Sequence, residues 1–153
     1  EFEALLLEIL SEFQVSIPEL GTIKAEQRPL VFLTSNNSRE IGDALKRSCL
    51  HLYIPFPDAK LERKIVKSRV PDLNQNIQKQ LVSFVQGLRD LDLKKVPAIS
   101  ETIDWARTLI LLSAEELNED LARETLNVLL KYQQDIEVSQ KEIPRLIKES
   151  SAR

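Results

Sequence analysis

The run Pro55-Phe56-Pro57-Asp58 constrains this chain more than any other stretch. Proline fixes its own φ and has no N–H to give to a ladder, so neither a helix nor a central strand passes through two prolines placed this close. Before the run, apolar residues cluster or alternate as they do in strands. After it, they recur at helical spacing. The chain therefore divides near Pro57 into residues 1–57, α/β in character, and residues 58–153, all helical. The second part, roughly 95 residues, is long enough to build a bundle with its own core.

In the first part, Phe2, Leu5, Leu6, Ile9, Leu10 and Phe13 predict an amphipathic helix from about Phe2 to Phe13. Val15 and Ile17, then Pro18-Glu19-Leu20-Gly21, then Thr22 to Ala25 predict a β-hairpin with Gly21 at the position that needs positive φ. Leu30-Val31-Phe32-Leu33 closes on Thr34-Ser35-Asn36-Asn37-Ser38. A short apolar run bounded by turn residues reads as a strand buried on both faces of a parallel sheet. Ligands of such sheets bind beyond the carboxyl ends of the strands, which is where Asn36 falls. A short helix over Glu40–Lys46, with Ile41, Ala44 and Leu45 on its apolar side, precedes a second strand in which Leu50, Leu52 and Ile54 alternate with His51 and Tyr53.

In the second part, Leu61, Ile65 and Val66 mark a helix that ends at Val70-Pro71, and Ile77, Leu81, Phe84, Val85 and Leu88 mark the next. Leu91–Ala98 is a loop; its Asp92, Lys94 and Lys95, with Asp90 just before it, read as solvated charges. Ser100 is a candidate N-cap for a helix carrying Ile103, Ala106, Leu109 and Ile110, with Trp105 in the core. Ser113-Ala114-Glu115-Glu116 has the form of a capping box. Leu121, Thr125, Val128, Tyr132, Ile136, Ile143 and Ile147 then continue at helical period, with Pro144 expected to kink or restart the segment.

A net charge of -3 argues against a broad nucleic-acid surface. No apolar run approaches the ~18 residues of a membrane span. Cys49 is the only cysteine, which excludes an internal disulfide and points to a reducing cytoplasm. With one Cys and one His, a Cys/His zinc site is excluded. Cys49 and His51, two residues apart on an expected strand, share a face there and so could meet. The sequence contains no Met and opens in mid-pattern, so we expect the C-terminal part of a longer protein.

The order of these elements resembles the second half of an AAA+ ATPase. Ile17-Pro18-Glu19-Leu20-Gly21-Thr22-Ile23, Leu33-Thr34-Ser35-Asn36, Asp43-Ala44-Leu45-Lys46-Arg47 and Ser100-Glu101-Thr102-Ile103-Asp104-Trp105-Ala106 are similar to the MoxR family, in particular its CoxD-like branch. The resemblance implies the distal part of a parallel α/β core, with a pre-sensor-1 hairpin, followed by a helical lid. It places Asn36 at sensor 1, where a neutral amide helps orient the attacking water; read from the residues alone, Asn36 is a turn or cap residue. It places Arg47 at the arginine finger that serves a neighbouring subunit, with Lys46 and Arg39 as competitors for that role and Asn37 as the weaker alternative to Asn36. Sensor 2 departs from the pattern: Glu101 stands where relatives carry Arg, and a carboxylate cannot pair with phosphate. Arg107, six residues on, is a poor substitute.

The resemblance further implies ATP and Mg in the intact protein and a homo-oligomeric ring, expected to be a hexamer. It also implies a protein client for remodelling or metal-centre maturation, and a von Willebrand A-domain partner. The sequence lacks G-x-x-x-x-G-K-[ST] and a strand ending in Asp-Glu. This chain alone is therefore expected to be inactive and to bind no nucleotide tightly. One rival reading is a helical interaction module without ATP chemistry; a second is a nucleic-acid clamp loader or helicase relative, against which the acidic pI speaks.

Overall fold

The structure, a computed structural model, describes residues 2–35 and 42–152. These divide into two compact units, one up to Ile54 and one from Pro55 onward.

The first unit opens with α1 (Phe2–Glu12). Phe13 ends it at φ 53, a conformation a bulky residue adopts only when its surroundings hold it. Here the Phe13 N–H donates to Ile9 O at 3.1 Å, and Phe13 O accepts from the Ala25 N–H at 2.8 Å. Strands β1 (Gln14–Ile17) and β2 (Gly21–Lys24) pair antiparallel in the register Gln14↔Lys24 to Ile17↔Gly21. The turn between them needs left-handed backbone at Gly21, which has φ +74. The short helix α2 spans Asp43–Ser48, two to three residues later than its sequence suggested, and packs on α1. Of its expected apolar side, Leu45 is buried, Ala44 is exposed and Ile41 lies outside the described residues.

The expected parallel strands are not found. Leu30 to Leu33 is irregular, with Leu30 84% and Phe32 82% exposed. Leu50, Leu52 and Ile54 are likewise outside any strand and at least 79% exposed. A strand buried on both faces needs a hydrogen-bonded neighbour on each edge and cover on each face. Among the described residues the only ladder joins β1 to β2, and those strands satisfy each other. The apolar runs therefore remain irregular and uncovered.

The second unit is a helical bundle of α3 (Ala59–Arg69), α4 (Gln75–Arg89), α5 (Ile99–Leu111), α6 (Glu119–Leu129) and α7 (Gln133–Ser151). Helix α4 is central and packs on α3, α5 and α7. Its Ile77, Leu81, Phe84, Val85 and Leu88 are fully buried, as their spacing predicts. Trp105 packs a tilted ring on Phe84 at 5.2 Å and gives its indole N–H to Thr125 Oγ1 at 2.7 Å. Gly87 lets α7 approach: a Cβ there would meet Leu146 Cδ2 at 2.5 Å.

Helix starts follow side-chain caps at Asp58, Asn74 and Asn118, each accepting a backbone N–H of the first turn. Two expected caps are overturned. Helix α5 begins at Ile99 behind Ala98, and Ser100 instead donates to Glu101 Oε2 at 2.7 Å. Ser113 sits at φ 51 in the turn after α5, where it cannot open a helix, so α6 starts later, at Glu119 behind its cap Asn118. The long final periodicity is also two helices, because the chain is extended at Leu130 and Tyr132.

Pro144 lies inside α7. It has no N–H for the carbonyl of Gln140. That carbonyl faces Arg123 Nη1 at 3.5 Å, a long contact from α6. On the same helix, Ser139 Oγ is the one buried side-chain polar atom without a partner among the described residues. Ser139→Ala is expected to raise the stability of the bundle by about 1 kcal/mol, since it removes an unpaired hydroxyl and improves helix propensity. Chemical denaturation of the two proteins checks this; a loss of stability would mean the hydroxyl has a partner.

Candidate functional site

Helix α2 carries the cations that the sequence singled out. Leu45, 6% exposed, anchors it. Its last turn holds Lys46 and Arg47, both exposed, where positive charge complements the helix dipole. Ser48 closes the turn by donating to Ala44 O at 3.0 Å. Arg47 takes part in none of the ion pairs among the described residues. An exposed guanidinium on a short anchored helix can offer paired donors to a carboxylate or phosphate on another molecule. Asn36, Asn37 and Arg39 lie outside the described residues.

Glu101 stands in the first turn of α5. Partial burial opposes its ionisation, but hydrogen bonds from Ser100 and the backbone, with the charge of Lys95, outweigh this and lower its pKa. It is a helix-start carboxylate, a role the dipole favours. Arg107 pairs weakly with Asp104 at 3.4 Å in solvent. At about 100° per residue, it sits roughly 120° around α5 from Glu101. Cys49 is half-buried and His51 exposed, and because neither lies in a strand, the expectation that they share a face lapses.

The described residues offer no phosphate cradle. Gly21 is a hairpin turn, Gly42 starts α2 with the Glu3 carboxylate against it, and Gly87 is packed under Leu146. No group of three or more His, Cys, Asp or Glu among the described residues is placed to hold a metal. No described helix is long and apolar enough to cross a membrane.

The densest polar constellation is buried in the second unit. Glu62 of α3 is 0% exposed and receives Arg89 of α4 through both oxygens, at 2.7 and 2.8 Å. The Thr102 hydroxyl of α5 donates to Glu62 Oε1 at 2.9 Å, and Gln86 Nε2 donates to Oε2 at 2.6 Å. Arg89 Nε donates to Pro97 O at 2.9 Å, and its guanidinium lies 4.7 Å from the centre of the Phe56 ring. Gln86 Nε2 also reaches Pro57 O at 3.1 Å. Every oxygen of the carboxylate is thus paired, the condition under which a buried charge is tolerated.

The chain matches no family model, no curated protein and no solved structure. Its own geometry is what speaks for a function.

Sequence reasoning passed over Glu62, Arg89, Thr102 and Asp135, yet a signal was there. Glu62 precedes Val66 by four residues, Arg89 follows Val85 by four, and Thr102 precedes Ala106 by four. Each is a polar residue in phase with an apolar stripe. Asp135, 2% exposed, accepts the backbone N–H groups of Lys94 and Lys95 at 2.8 and 3.1 Å. The loop read as merely solvated is therefore tethered, although its charged side chains do face solvent. Asp135→Ala leaves both N–H groups without their acceptor and is expected to destabilise the bundle by about 2 kcal/mol. Hydrogen exchange should rise first at Lys94 and Lys95; unchanged exchange there would refute the tether.

Proposed function

We propose that this chain is the C-terminal portion of a MoxR-like AAA+ ATPase, a ring protein that couples ATP hydrolysis to remodelling or metal-centre maturation of a client. The observation that carries the reading is the exposed Arg47 on the short helix α2, ahead of a separate helical unit. The hairpin β1–β2 precedes it in the order that the resemblance requires. In this reading, Arg47 is presented to the neighbouring subunit, and Asn36 serves within its own subunit. In this reading the uncovered segments Leu30–Leu33 and Leu50–Ile54 become core strands only when the rest of the protein supplies their neighbours. The helical unit is the lid.

The sequence of this chain has no G-x-x-x-x-G-K-[ST], so its nucleotide turnover on its own is expected to be zero in a phosphate-release assay; robust turnover would refute the motif argument. A protein in which this chain follows Walker A and Walker B segments is expected to assemble with nucleotide into a ring, six subunits by mass. A strictly monomeric product would overturn the ring reading. The competing interaction-module reading draws on Glu101, whose carboxylate is committed to a helix start.

A further inference from the structure

The residues Pro55, Phe56 and Pro57 belong to the helical unit, although they precede its first helix. Each proline fixes φ and holds the residue before it extended, so the three form a stiff strap. The strap is fastened at two points. Gln86 Nε2 donates to Pro57 O at 3.1 Å, and the Phe56 ring lies 4.7 Å from the guanidinium carbon of Arg89. Both fastening residues also hold Glu62. Arg89 in turn fixes the start of α5, through Pro97 O at 2.9 Å and, more loosely, through Thr102 Oγ1 at 3.3 Å. Thr102 closes the circuit onto Glu62 and onto Ala98 O.

We infer that Phe56–Pro57 is a conformational relay: its seating on Arg89 sets the geometry of the first turn of α5, some forty residues away in sequence. Three features support this. The Arg89 side chain is 7% exposed and Glu62 0%, so the pair has little water to replace a lost contact. A bidentate pair has one narrow geometry, so Arg89 cannot shift toward a vacated strap without loosening Pro97 or Glu62. The start of α5 has no side-chain cap of its own and depends on the 97–98 backbone being held in place. Loss of the Phe56 ring admits water to the guanidinium, and the weakened Arg89–Pro97 contact frees the α5 terminus to open locally. The relay belongs to the helical unit and stands whether or not the ring reading does.

The test uses the whole chain and hydrogen exchange followed by NMR. Phe56→Ala is expected to speed exchange of the Arg89 Nε–H and of the Thr102 and Ile103 amides at least tenfold. Ile147→Ala, a comparably destabilising change on α7, is the control. Wild-type exchange at those three groups in Phe56→Ala overturns the relay. So does an equal rise in Ile147→Ala, which would mark general loosening. Coupling is reciprocal, so Thr102→Val is expected to lower the order parameter of the Phe56 amide from about 0.85 toward 0.6 or below. An unchanged Phe56 amide in that variant also overturns the inference.

Discussion

Arg89→Met is expected to destabilise the helical unit by about 3–5 kcal/mol, the largest stability loss available from a single polar substitution here. The substitution keeps length and much of the apolar stem but removes the charge. Glu62 then stays buried with only the Thr102 hydroxyl and the Gln86 amide as donors. Two neutral donors do not replace a guanidinium bound through two nitrogens. Pro97 O also loses its donor, and Phe56 loses the cation beneath its ring. For a unit of this size, 1 kcal/mol corresponds to about 4–8 °C, so the midpoint should fall by more than about 12 °C. The double variant Glu62→Leu with Arg89→Met is expected to recover most of the loss, because it removes the stranded charge along with its partner. Thermal and urea unfolding of the three proteins decides it. A loss below about 1 kcal/mol in the single variant would show that water already reaches Glu62.

In a protein that assembles this chain into a ring, Arg47→Ala is expected to lower nucleotide turnover by about 10³-fold or more. The reason is geometric. Arg47 sits exposed at the end of α2, and the helix is anchored by Leu45, so the guanidinium has a defined base from which to reach another subunit. Arg47→Lys should not rescue, because an ammonium lacks the planar fork. Lys46→Ala should leave turnover nearly unchanged, as it occupies a different angle on the same turn. Folding should be unaffected in all three, since neither cation is buried. The decisive measurement mixes Arg47→Ala subunits with subunits whose Walker A lysine is replaced. A finger acting across subunits restores turnover in the mixed rings, whereas an arginine acting within its own subunit does not. Turnover by the pure variant within tenfold of wild type would remove Arg47 from the site.

Much of the helical unit was legible in the sequence, and the reason is local. Ile77, Leu81, Phe84, Val85 and Leu88 recur at the helix's own period, so their common face could be named before any partner was known, and all are buried. Gly21 declared its positive φ because few other residues tolerate it. Pro71 sits just past the end of α3, consistent with its inability to continue a helix. Periodicity failed at the caps and junctions. Ser100 and Ser113 had capping chemistry, but the 97–98 backbone is held by Arg89, and the chain after α5 turns back through left-handed geometry at Ser113.

What the sequence alone determined is the helical half: a set of amphipathic segments behind a proline stop, each able to display its apolar stripe without reference to the others. Tertiary structure decided what local pattern cannot. It placed Glu62 inside while Leu61, one residue earlier, is 51% exposed, because burial belongs to the face that meets α4 and α5 and not to the hydrophobicity of the residue. It also left Leu30–Leu33 and Leu50–Ile54 uncovered, because a strand exists only through the hydrogen bonds of its neighbours, whereas a helix satisfies its own backbone.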